Sequence, residues 1–433
     1  MRTASGADAG YGSGTMPVSS PSDPVARAAG VLRSPRRVLP VALPALALVV
    51  AGLLLPTGGY FLDLDVYRLA VLPWLDGADL YRDLPPTAAG IMLPFIYPPF
   101  AAMVLTPLVL LPWTASWIAL LALSVASLGV TLYVVARRVR PGIGRAGALA
   151  VASASLPLAL LLEPVRETVW FGQINLLLMA LVAVDCLAEK PRWPRGLLVG
   201  LAAAIKLTPA AFVLYFLLRR DTRAAAVAAV TALAATGAGF AVDAGASVRY
   251  WFGGPAAEVR GSVFHTNQTF SAVLARAGLD ETAVTVGSLS LAAGLLVLVV
   301  PVVRRTEPAL ALVVVAGFAL LASPTSWSHH WVWAAPALVV AAASAVRRRS
   351  PARAAFTALL VVAFTVPPFR YLPRDGGREL AWSAAEQVAG AAYVSSPSCC
   401  WSSCAGGSIA CGEAGWASLP HEQVTGRGQV VTS

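Results

Sequence analysis

An all-α, polytopic bundle of transmembrane helices is the fold this sequence predicts, and three observations predict it. Of 433 residues, 57% are hydrophobic and only 12% are charged, whereas soluble domains carry about a quarter charged residues. Mean hydropathy is +0.70. Apolar runs near the roughly 20 residues that a spanning helix needs recur along the whole chain. The net charge of +10 could suggest a nucleic-acid partner, but its distribution excludes that class. The cations fall in short clusters between apolar runs: Arg33, Arg36 and Arg37; Arg137, Arg138 and Arg140; Lys190, Arg192 and Arg195; Arg219, Arg220 and Arg223; Arg304 and Arg305; Arg347, Arg348, Arg349 and Arg353. That is the positive-inside signature of cytoplasmic loops.

Residues 1–30 are rich in Gly, Ser, Ala and Pro, lack an apolar core, and are expected to form a disordered cytoplasmic tail rather than a signal peptide. The first span is expected at 38–56, as an uncleaved anchor. An outer loop over 57–90 then holds Asp63, Asp65, Asp76, Asp79 and Asp83. Within it, 66–75 suits a short interfacial helix, with Tyr67 and Trp74 at headgroup level and Gly77 as its stop. Pro98 and Pro99 open the next helix, as prolines do at a helix start. The charge pattern demands an odd number of crossings between 91 and 136, so a re-entrant or half-span segment is expected there. Further runs at 146–162, 173–188, 196–218, 224–241, 282–303, 308–322, 331–346 and 354–366 bring the expectation to roughly ten to twelve spans. The loops 57–90, 163–172, 242–281 and 323–330 carry the acids, amides and aromatics and are placed outside.

Lys206 and Pro209 interrupt the run 196–218. A lysine at mid-membrane is costly, so two short helices are expected to meet at Lys206–Pro209, on the outer side or in a wet cavity. At "EPVRETVWFGQINLL", starting at Glu163, a group of Arg166, Glu167, Gln173 and Asn175 reaches a membrane boundary. Near the C-terminus, Cys399, Cys400, Cys404 and Cys411 lie in a Ser/Gly-rich stretch without histidine at zinc-ligand spacing, and no metal site is assigned. The organisation expected is thus a tail (1–30), a membrane domain (31–367) and a Cys/Ser/Gly-rich extension (368–433) of unassigned structure.

In order, the segments "DLDVYRLAVLPWLDGADLY", "FIYPPFAAMVLTPL", "WFGQINLLLMALVAVD", "GLAAAIKLTPAAFVLYFLLRR", "NQTFSAVLAR" and "SPTSWSHHWVWAAP" resemble glycosyltransferase family 87. This family of multi-pass transferases with the GT-C architecture includes the polyprenol-phosphate-mannose-dependent α-1,2-mannosyltransferases of actinobacteria. The resemblance covers residues 40 to about 365 and implies a plasma-membrane enzyme whose site faces outward. Such a site moves a hexose, best assigned as mannose, from a polyprenyl-phosphate sugar to a hydroxyl of a glycan or glycolipid. It implies no cofactor. The family's acidic residue maps to Asp63, with Asp65 as the near alternative, and its functional histidine maps to the pair His329–His330.

The residues themselves fit such chemistry. A β-linked donor and an α-linked product require one inverting displacement, with a base for the acceptor hydroxyl and cations for the departing phosphate. Asp63 has the chemistry of the base; the plain alternative is that Asp63 or Asp65 only caps the interfacial helix. His329 and His330 would point about 100° apart on a helix and so divide their roles; the plain alternative is a polar pair starting a helix. Lys206, Arg166, Arg68 and Arg260 are phosphate candidates, with a snorkelling Lys206 as the alternative. Tyr67, Gln173, Asn175, Asn267 and Gln268 are candidates for sugar contacts, or for satisfying broken-helix backbone. Two other functions compete: a transporter or flippase of lipid-linked sugars, since broken helices with buried charge also mark transport sites, and a non-catalytic partner in envelope assembly.

Overall fold

The computed structural model of the protein describes residues 34–54, 61–253 and 262–395; the expected N-terminal tail, Arg260 and the cysteine cluster lie outside them. The described chain is helical, and its one β-bridge pairs Asn267 with Trp327. The helices are α1 (Pro35–Leu54), α2 (Leu62–Leu75), α3 (Pro99–Val109), α4 (Trp113–Val139), α5 (Gly144–Leu160), α6 (Glu163–Phe171), α7 (Asn175–Leu187), α8 (Leu197–Ile205), α9 (Val213–Leu218), α10 (Thr222–Val242), α11 (Ala244–Val248), α12 (Phe270–Arg276), α13 (Glu281–Arg305), α14 (Pro308–Ala322), α15 (Ala334–Arg348), α16 (Pro351–Thr365) and α17 (Ala384–Gly390).

Among the described residues, seven helices are long and apolar enough to cross a membrane, and four shorter apolar helices accompany them. The chain is a multi-pass membrane protein. Its peripheral helices turn apolar side chains outward: Leu48 on α1, Leu233 on α10, Val297 on α13 and Leu359 on α16 are all exposed. A soluble protein would bury such residues; here lipid is the solvent they meet.

The expected irregularity between 91 and 136 is α3. Its 11 residues span about 16 Å, half the hydrocarbon thickness. Both of its ends stay near α2. Tyr97, just before α3, bonds Tyr67, and the carbonyls of Val109 and Leu111, at its far end, accept from Arg68. In this stretch only α4 is long and apolar enough to cross a membrane, which is the odd number that the basic clusters call for.

The run 196–218 is broken where Lys206 predicts. α8 stops at Ile205, Lys206 adopts an extended conformation (φ −147°, ψ 132°), and a 3-10 turn over Thr208–Phe212 leads into α9. Small residues allow α8 to lie deep in the bundle. A Cβ on Gly196 (φ +100°) would fall 2.0 Å from the Ala224 carbonyl oxygen, and one on Gly200 would fall 2.5 Å from that of Ala228. The two glycines thus let α8 touch the backbone of α10, as small residues do in membrane helix pairs.

Residues 368–395 fold back onto the bundle. Phe369 and Tyr393 are fully buried in an apolar cluster with Trp331 and Phe364, and Gln268 donates to the carbonyl of Gly390 at 2.8 Å. The stretch to which no structure could be assigned from sequence therefore closes one side of the site described next.

Candidate active site

Helix α2 begins at Phe61, which holds a left-handed backbone (φ 36°) and stacks on Trp117 at 5.4 Å. Asp63 follows in the first turn. α6 ends at Gly172 (φ +66°), where a Cβ would lie 2.9 Å from that of Leu64. Glycine removes that clash, so the chain can turn directly under α2 and set Gln173 beside Asp63. Behind them runs a buried chain of hydrogen bonds. The hydroxyls of Tyr67 and Tyr97 are 3.1 Å apart, and Tyr97 donates to Gln173 Oε1 at 3.0 Å. Gln173 Nε2 lies 3.5 Å from His329 Nε2.

The two histidines sit in a 3-10 turn, Ser328–Trp333, with their rings almost perpendicular (86°) and centroids 4.7 Å apart. Three bonds latch this turn to α6 and to the start of α7. The carbonyl of His329 accepts from Thr168 Oγ1 at 2.8 Å and from Asn175 Nδ2 at 3.1 Å. Ser328 donates to Glu163 Oε1 at 2.8 Å. Glu163 is fully buried and also accepts from Arg370 Nε (2.9 Å) and Tyr393 (2.8 Å), while Arg370 makes a second ion pair with Glu167 at 2.8 Å. Buried carboxylates persist only when paired and bonded in this way.

Lys206 reaches in from the break after α8. Its Nζ donates to Asn175 Oδ1 at 2.9 Å, lies 3.3 Å from His330 Nε2 and stands 5.4 Å over the Tyr97 ring, within cation–π range. An ammonium has donors only, so His330 Nε2 accepts and the imidazole proton resides on Nδ1. The histidines therefore differ in role: His330 holds Lys206, and His329 faces Gln173.

These groups border a chamber of about 580 Å³ whose wall gathers the charged and polar side chains of Asp63, Tyr97, Gln173, Lys206, His329, His330, Arg370 and Arg374 among apolar ones. A second cavity of about 450 Å³ adjoins it, lined mainly by apolar side chains such as Leu178, Val182, Phe212, Phe318 and Trp333. Lys206, His330, Ile96 and Trp327 border both. Burial pushes the carboxyl of Asp63 up to about 6, against the pull of the Lys206 charge and a bond from Gln173. Such a group is a base at neutral pH and an acid just below it.

Every chamber element lies at the end of the bundle away from the basic clusters. α6 follows α5, which starts beside Arg145; α14 starts next to Arg304 and Arg305 and ends before the histidine turn; α16 runs from Arg353 toward Arg370. α7 leads from the chamber to Leu187 in 13 residues, about 20 Å. That length is about two thirds of a hydrocarbon core roughly 30 Å thick.

Of the residues singled out in the sequence, Asp63, Gln173, Lys206, His329 and His330 come together here, with Asn175 behind them bridging Lys206 to the histidine turn. Others are placed elsewhere. Asp65 accepts from the Ala88 backbone N–H at 2.7 Å. Tyr67 is fully buried behind Tyr97. The guanidinium of Arg68 is spent on the end of α3, and Arg166 stacks over Trp170 at 5.1 Å. Asn267 and Gln268 are fully buried scaffold: Asn267 Oδ1 accepts from the Ser326 N–H at 3.0 Å, and Gln268 Oε1 accepts from that of Tyr393 at 3.2 Å. Tyr97, Arg370 and Arg374 were missed. The usable signal for the arginines was their position after the 351–365 helix, at the bundle end where the positive-inside pattern expects few cations.

Known proteins share much of this sequence. The sequence model of glycosyltransferase family 87 matches residues 95–324. A polyprenol-phosphate-mannose-dependent alpha-(1-2)-phosphatidylinositol mannoside mannosyltransferase of Mycolicibacterium smegmatis is 40% identical over 364 residues, 77% of this chain and 81% of that protein. One of the same description from Mycobacterium tuberculosis is 38% identical over 352 residues, 77% and 82% of the two chains. A relative described as acting on phosphatidylinositol pentamannoside, from Mycolicibacterium smegmatis, is 34% identical over 307 residues, 66% and 70% of the two chains. No solved structure matches the chain.

Proposed function

Because the chain belongs to glycosyltransferase family 87 and is a membrane hexosyltransferase, we propose that it transfers mannose from polyprenyl-phosphate mannose to a hydroxyl of a phosphatidylinositol mannoside. The site is read as facing outward from the plasma membrane. Basic loops stay in the cytoplasm, and the chamber lies at the opposite end of the bundle.

One observation carries the mechanism: Asp63 and Lys206 border the same chamber, and Lys206 also borders the apolar cavity. The polyprenyl chain occupies the apolar cavity, which places the donor phosphate at Lys206 and the sugar in the chamber. The acceptor oxygen attacks the anomeric carbon while its proton passes to Asp63. The bond from that carbon to the phosphate oxygen breaks, and polyprenyl phosphate departs with the electron pair. The ammonium of Lys206, aimed by Asn175 and His330, stabilises the charge that grows on the leaving oxygen. Displacement from the face opposite the phosphate inverts the anomeric centre, turning a β-linked donor into an α-linked product. His329, held through its backbone and facing Gln173, borders the sugar.

The test is transfer by purified protein from polyprenyl-phosphate mannose to a phosphatidylinositol mannoside, wild type against Asp63→Asn. Mannosylated product from the first and near-loss with the second is the expected result. Equal rates in the two proteins would remove Asp63 from the chemistry, and no transfer by the wild type would remove the donor or the acceptor.

A further inference from the structure

On the reading above, two anionic lipids meet in one chamber, yet Lys206 stands where it serves only one of them. It borders the apolar cavity as well as the chamber, the place for the phosphate of a lipid whose chain fills that cavity. A second cation borders the chamber alone: Arg374. Its half-exposed guanidinium donates through Nη1 to the carbonyl of Arg370 at 2.8 Å and forms no ion pair within 4.0 Å among the described residues. Arg370, next along the wall, is committed to Glu163 and Glu167 and has no charge to spare. Asp375 shares the wall, exposed in a left-handed turn (φ 69°), and stays beyond ion-pair distance of Arg374.

We propose that Arg374 is the anchor for the acceptor's phosphodiester, so that the enzyme selects an anionic glycolipid over a neutral one. A guanidinium fork with unused N–H donors at a cavity wall is built for phosphate oxygens. Its level in the bundle suits that ligand. α16 runs from Pro351, with Arg353 in its first turn, to Thr365, so the turn holding Arg374 emerges at the far membrane boundary, where the phosphate of a glycerolipid lies. The sugar part of such a lipid then points into the chamber toward Asp63. This inference rests on the acceptor assigned under the proposed function, and its test is arranged to separate the two.

Full-length protein in detergent micelles would be titrated with three ligands: a phosphatidylinositol mannoside, a mannosyl diacylglycerol without phosphate, and the water-soluble deacylated phosphoinositol mannoside. For Arg374→Gln the affinity for both phosphate-bearing ligands should fall roughly tenfold, the size of one charge-assisted pair, and that for the neutral lipid less than twofold. Arg374→Lys should recover part of the loss. In turnover, the acceptor KM should rise while the donor KM stays within twofold. An equal loss for all three ligands, or no loss for the phosphate-bearing pair, overturns the proposal. A loss confined to the acylated ligand also overturns it, since that would make the acyl chains and not the phosphate the recognised group. Because binding is read without transfer, charge-selective binding by a protein that transfers no mannose would refute the proposed function and leave this inference standing.

Discussion

Two aspartates at opposite ends of the bundle teach what separates a scaffold carboxylate from a reactive one. Asp185, at the basic end, is fully buried. Its oxygens accept from the Trp193 indole (3.0 Å), the Gly196 N–H (3.0 and 3.1 Å) and the Val199 N–H (3.0 Å). Those amides open α8, so Asp185 caps from outside the helix that leads to Lys206, at the end where a negative charge is favoured. Asp63, at the other end, is half-buried and borders the chamber, with a lysine and an amide for company. The first carboxylate has its lone pairs used by the backbone. The second has them turned toward a space that a substrate would fill.

The comparison breaks most sharply at Asp63→Asn. Transfer should fall by about 10²–10⁴-fold, the usual contribution of a general base, while the protein stays folded. Its stability should even rise slightly at pH 7. A carboxyl whose value is raised above 3.8 to about 6 stabilises the fold when protonated, and that stabilisation is lost as pH climbs through about 6. The amide cannot ionise and escapes the loss. A lower melting temperature for Asp63→Asn would mean that this residue, too, is scaffold.

Next in size, Lys206→Met should raise the donor KM by roughly 10–100-fold, as expected for a charge-assisted phosphate contact, and change the acceptor KM little; steady-state kinetics with each substrate varied in turn decides this. The pH profile of kcat/KM sharpens the assignment further. Activity should be level near neutrality and drop about tenfold per unit below about 6, where Asp63 takes up its proton. In Asp63→Asn the residual rate should lose that limb, and a limb that survives belongs to another group.

Asp185→Asn should behave in the reverse sense. An amide leaves a buried N–H without its acceptor at a cost of about 1–3 kcal/mol, so less folded protein and a lower melting temperature are expected, with unchanged KM for whatever folds. Smallest of all, Gly172→Ala adds a methyl 2.9 Å from Leu64 at a positive φ. That should shift α2 enough to lower kcat several-fold, at a strain of about 1–2 kcal/mol, with donor binding nearly intact.

The candidate residues show where sequence reasoning stopped. Asp63 and Asp65 were equal in chemistry, and the motif favoured Asp63 with Asp65 as the near alternative. On a helix they project about 200° apart, so only one could face the chamber, but the facing direction depends on how α2 docks over Gly172. The histidines were separated only by their partners, Lys206 for one and Gln173 for the other. Asn267 and Gln268 carry groups suited to sugars, yet neighbouring backbone uses them first. Arg370 and Arg374 follow the last apolar run that the sequence makes plain, and only the folding back of 368–395 brings them to the site.

Read in one dimension, the chain already carried a helical membrane protein, the break at Lys206 and the family, because hydropathy, the cost of a mid-membrane charge and motif order are properties of linear sequence. Tertiary structure alone decided which of several chemically equal side chains share a chamber. That choice rests on contacts between helices far apart in sequence, such as Gly172 against Leu64 and Glu163 with Arg370, whose geometry no local pattern encodes.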